Sequence, residues 1–203
     1  MDGRFLTAFV IPKKWDILGY RLKPFTLEHS LSLTVIESPF INGKVENAKP
    51  EDVLVFLRIC SSEHPSNAFR KPTIMDYWRI ARMEADLLHL FDVIKQIMEY
   101  IEICCSTPKF YSKENKNKVE VKKESVPLPL ILATNLMSKL GMSKEEAWST
   151  TVGQAVWYIT TYSINEGADI KILTTEDEQK AESEVEFLKK INEELAKNKK
   201  GKK

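Results

Sequence analysis

The sequence predicts a mainly all-α protein: a helical bundle around one long central helix, with a short extended or hairpin-like N-terminal segment. Three observations carry this. Seven glycines and nine prolines are few for 203 residues. Apolar positions recur at spacings of three and four, the helical period. Residues 73–105 run on without Gly or Pro. A chain of this length buries a core without metal or disulfide support.

Residues 1–25 mix β-branched and aromatic side chains with Pro12, Gly19 and Pro24, which predicts extended or hairpin-like backbone. Thr26 is the N-cap of a first helix carrying Leu27, Leu31 and Val35, and Pro39 stops it. Asn42-Gly43 marks a reversal. Pro50 at a first helical position, followed by Glu51 and Asp52, starts a second helix through Ile59. Thr73 to Cys105 then reads as the long helix, or two joined by a kink, with Met83, Leu87, Leu90, Ile94, Ile97 and Ile101 as its stripe. The lysine-rich residues 106–126 read as an exposed loop.

Beyond that loop, "LPLILATNLMSKL" is an apolar helix ended by Gly141. Ser143 and Glu146 form a capping box for the next. "SKEEAWSTTVGQAVWYITTY" resolves into helix, a "TTVG" turn, and helix, with Gly167 at the end. A charged helix closes the chain, its narrow seam made of Val185, Leu188, Ile191 and Leu195. So thin a seam reads as a detachable arm for a partner or for self-association, or equally as a frayed terminal helix without a role. Four regions follow: 1–105, N-terminal and holding the long helix; the loop 106–126; a C-terminal helical group, 127–174; and a charged helix with a basic tail, 175–203.

Thirty Lys and Arg against 29 Asp and Glu, a formal charge of +1, give no broad attraction for nucleic acid or membrane. No run of about 18 uncharged apolar residues occurs, so no membrane span is expected. The N-terminal apolar run lacks a basic leader, so no secretory signal is expected. Cys60, Cys104 and Cys105, odd in number and two adjacent, suit a reducing compartment.

No metal site is expected: the nearest ligand spacing is Cys60 with His64, whereas zinc takes two paired ligand sets. His29 reads as a packed or capping histidine. No phosphate-binding glycine motif or hydrolase elbow occurs, so neither catalytic residues nor a cofactor are assigned. The helix-turn-helix outline of residues 143–162 invites a DNA-binding reading. Its second helix, however, opens on Gln154, Ala155, Val156 and Trp157, without the cations that phosphate contacts need. The aromatic residues Trp148, Trp157, Tyr158 and Tyr162 are contact and packing types. Filling the chain's own core is the first reading for each of them, and a partner surface the second.

Three stretches carry a resemblance: "LGYRLKPFTLEHSLSLTVIESPF" at 18–40, "EDVLVFLRICS" at 51–61, and "LGMSKEEAWSTTVGQAVWYITTYSINEGADIKILTTEDE" at 140–178. Somewhat over a third of the chain is thereby similar to tail assembly chaperones and related proteins of tailed-bacteriophage tail modules. The resemblance implies a non-enzymatic, helical protein in the cytoplasm of an infected bacterium. Its partners would be the tape-measure protein and the tail-tube protein, with self-association also open. The partner-binding residues would be Trp148, Trp157, Tyr158 and Tyr162, and on the terminal arm Val185, Leu188, Ile191 and Leu195. A structural tail or connector protein, and a helix-turn-helix regulator, are the alternatives.

Overall fold

The computed structural model describes residues 3–9, 14–61, 71–112, 126–173 and 177. Among them, eight helices hold 66% of the residues, so the mainly helical class is correct. They are α1 (Gly3–Phe9), α2 (Leu27–Val35), α3 (Pro50–Ser61), α4 (Ile74–Ala85), α5 (Leu87–Cys104), α6 (Leu128–Leu140), α7 (Lys144–Ser149) and α8 (Val152–Asn165). Two antiparallel strand pairs accompany them. β1 (Trp15–Ile17) pairs with β2 (Tyr20–Leu22), and β3 (Phe110–Ser112) pairs with β4 (Ile170–Ile172).

The N-terminal expectation is half met. The hairpin forms over 15–22, turning through Leu18 and Gly19 at positive φ, but residues 3–9 are helical rather than extended. So short a helix is marginal alone. It is held by packing on α5 and α8, with Ala8 buried and Phe9 edge-on to Tyr158 at 5.4 Å.

The single long helix is not present. Asp86 adopts extended backbone (φ −132°, ψ 95°), and its carboxylate accepts the Leu88 and His89 N–H groups at 3.1 Å. Aspartate is a strong N-cap, so the chain restarts a helix there. The restart resets the helical phase and redraws the expected stripe. Met83 and Ile97 are buried, Leu90, Ile94 and Ile101 are half-buried, and Leu87 is 73% exposed. The inward line of α5 is Val93, Ile97, Tyr100 and Cys104.

Elsewhere the local signals act as read. Thr26 caps α2 with His29 completing the box, Pro50 opens α3, and Gly141 ends α6 at φ 68°. On α2, however, Leu27 and Leu33 are the buried apolar residues, while Val35 is 72% exposed. "TTVG" is not a turn. Thr150 closes α7, Thr151 caps α8, and Val152 and Gly153 already lie inside α8.

The interior holds two apolar clusters. One joins the β1–β2 hairpin, α3 and α5 around Phe25, Phe56, Ile97 and Tyr100. The other joins α6, α7 and α8 to Leu27. Paired backbone links them: Leu27 N–H donates to Thr150 C=O at 2.9 Å, and Val152 N–H to Phe25 C=O at 3.3 Å. These amides open α2 and α8 and have no partner within their own helices, so each helix start satisfies the other. Within the lysine-rich loop, Phe110–Ser112 form β3, paired with β4. Residues 113–125 of that loop, and Val185, Leu188, Ile191 and Leu195 of the C-terminal helix, lie outside the described residues.

Candidate functional site

The aromatic residues of α8 are positioned by how that helix starts. Gly153 is buried, and a Cβ there would lie 2.8 Å from the Ser106 carbonyl oxygen and 2.9 Å from that of Cys104. Only glycine allows so close an approach, so the start of α8 sits on the end of α5. There the positive end of one helix dipole meets the negative end of another. From this anchor Trp157 turns inward (5% exposed), Tyr158 turns outward (37%), and Tyr162 is half-buried one turn later.

Trp157, Tyr158 and Tyr162, with Phe9 of α1 and Leu140 of α6, line an apolar cleft of about 310 Å³. Trp148 is separate. It borders a groove of about 550 Å³ between α2 and α7, together with Leu31, Glu28, Lys144 and Glu145. The structure thus joins three of the four expected aromatic residues in one cleft and sets the fourth on another surface. Phe9 and Leu140 escaped sequence reading. Neither is near α8 in sequence, and nothing local marks either as part of a shared wall.

The start of α8 is the end that a recognition helix would present to a DNA groove. Here that turn is occupied by α5, with Gly153 and Ala155 buried.

A buried polar cluster ties the hairpin, α3 and α4 together. Asp76 accepts hydrogen bonds from the Arg58 guanidinium, from the Tyr20 hydroxyl at 2.6 Å, and from the Thr73 hydroxyl and amide at 2.6 and 2.7 Å. Arg79 lies 3.5 Å from the same carboxylate and stacks over the Tyr20 ring at 4.6 Å. Burial opposes the charge of Asp76. The bonds from Thr73, Tyr20 and Arg58 outweigh it and hold the carboxyl well below the usual range.

The three thiols are free. Burial pushes all three upward in pKa, Cys105 to about 12, so they stay protonated and poorly nucleophilic. His29 is both packed and capping, as expected. Its Nδ1 accepts the Thr26 N–H at 3.3 Å. Burial lowers its pKa to about 4, with a hydrogen bond to the Pro24 backbone opposing and Lys23 assisting.

Among the described residues no group of three or more His, Cys, Asp or Glu could hold a metal ion. No helix there is long and apolar enough to cross a membrane. Comparison with family models, curated proteins and solved structures found no match for this chain.

Proposed function

We propose that this chain is a non-enzymatic assembly protein that holds an apolar helical segment of another protein, seated in the cleft between α1, α6 and α8. The observation that carries the reading is the cleft itself. Its walls are mainly aromatic and aliphatic, and it opens to solvent beside Tyr158. An apolar groove of this kind takes the spaced side-chain anchors of an amphipathic helix. Trp148 in the α2–α7 groove supplies a second contact.

The finer form of the proposal is a bacteriophage tail assembly chaperone or scaffold, working in the cytoplasm of an infected bacterium. Its partner is the tape-measure protein, around which tail-tube subunits gather. What supports this is the resemblance carried by residues 18–40, 51–61 and 140–178.

The test is co-expression with the tape-measure protein, followed by purification on a tag carried by this chain. Recovery that falls at least tenfold in Tyr158→Glu, with the circular dichroism spectrum unchanged, is the expected result. Absence of the tape-measure protein from the wild-type eluate sinks the finer reading. Presence of this chain in purified virions assigns a structural role instead.

A further inference from the structure

We propose that the outward face of α4 is a self-association surface, pairing antiparallel with α4 of a second copy of this chain. This helix meets its own protein along a narrow line: Asp76 and Met83 are buried, and Arg79 and Ile80 half-buried. On the opposite side Ile74, Trp78, Ala81 and Ala85 recur at spacings of four, three and four, which at 3.6 residues per turn form one stripe. Ile74 is 90% exposed and Trp78 56%, with Met75 and Tyr77 also exposed beside them. A solvated helix carries polar side chains on that face. A contiguous apolar face marks an interaction surface.

Shape argues for a second copy as the occupant. An antiparallel pair with its two-fold axis midway between Trp78 and Ala81 sets each Trp78 against the other copy's Ala81, and each Ile74 against the other's Ala85. Every bulky side chain thus faces the space above an alanine, and symmetry repeats the contact. Parallel pairing would set Trp on Trp and Ala on Ala, leaving alternate collisions and voids.

Charge agrees. The antiparallel seam places Arg82 beside the other copy's Met75 and Glu84 beside its Tyr77, so no like charges meet. The two flanking charges cancel, leaving nothing to select a charged partner.

Sedimentation equilibrium of the full chain is the test. Wild type is expected to move with concentration toward twice the 23.4 kDa chain mass, while Trp78→Glu and Ala81→Arg remain monomeric. Both sites are exposed, so the circular dichroism melt of each should match wild type; should either variant unfold, the other decides. A wild-type chain that stays monomeric into the high micromolar range overturns the proposal, as does a folded Trp78→Glu variant that still dimerises. Orientation is read by disulfide trapping. A mixture of Ile74→Cys and Ala85→Cys chains should cross-link as the mixed dimer, whereas efficient self-linking of Ala85→Cys overturns the antiparallel arrangement.

Discussion

His29 ties pH to stability. Burial keeps its folded pKa near 4 against about 6.5 in an unfolded chain. As pH falls through 6.5 the unfolded state gains a proton that the folded state refuses, so stability declines toward pH 4. The full loss is up to about 3 kcal/mol. Urea unfolding between pH 7 and 5 should show this slope in wild type and a shallower one in His29→Gln, which keeps a capping-box side chain. Asp76 is shifted in the same direction for the opposite reason, its charged form being favoured by hydrogen bonds where that of His29 is refused by burial, so it too loses stability as pH falls. Its depressed pKa gives stability that is complete above about pH 4 and lost below it. Asp76→Ala breaks the buried Arg58–Asp76 pair and should cost about 3–5 kcal/mol, a fall of roughly 10 °C in melting temperature. Gly153→Ala inverts the usual rule. Inside a helix the change normally stabilises by up to ~1 kcal/mol, but here the added Cβ would press on backbone oxygens below 3 Å. A destabilisation of about 1–3 kcal/mol is expected, and a raised melting temperature would refute the close approach.

At the scale of elements, the break at Asp86 decides which side chains face out. A continuous helix would have carried Leu87 on its buried stripe; the restart leaves Leu87 and Leu88 in the first turn of α5, exposed. Asp86→Ala removes the cap of α5 and should cost about 1 kcal/mol, seen as a melting temperature lower by roughly 2–4 °C. No change at all would mean that the capping bonds do not hold the break. The signal for it was in the sequence, since aspartate before two leucines is an ordinary helix start. The continuous apolar periodicity across residues 83–97 hid it.

At the scale of the whole molecule, the reciprocal amides at the starts of α2 and α8 bind the two clusters into one structure. Phe25 belongs to the first cluster and Leu27, two residues on, to the second. Unfolding is therefore expected to be one transition. In native-state hydrogen exchange, the amides of Ile59 in α3 and Leu136 in α6 should open with the same free energy; clearly different values would show that the clusters unfold separately. Leu27→Ala, at a fully buried position, should cost about 2–5 kcal/mol and lower protection in α3 as well as α6.

Local chemistry set what could be read without coordinates. The boxes at Thr26–His29 and Ser143–Glu146, Pro50 at the start of α3, and Gly141 at positive φ depend on a few neighbouring atoms, so short windows of sequence determine them. The helical class follows in the same way from composition and spacing. Tertiary structure alone decided that residues 3–9 coil, because a seven-residue helix exists only against α5 and α8. It also decided that Phe9 and Leu140 share a wall with Tyr158, and that Gly153 serves close packing rather than a turn. Each of these depends on atoms brought together from segments distant along the chain, and the free energy of such contacts is not encoded in any one segment.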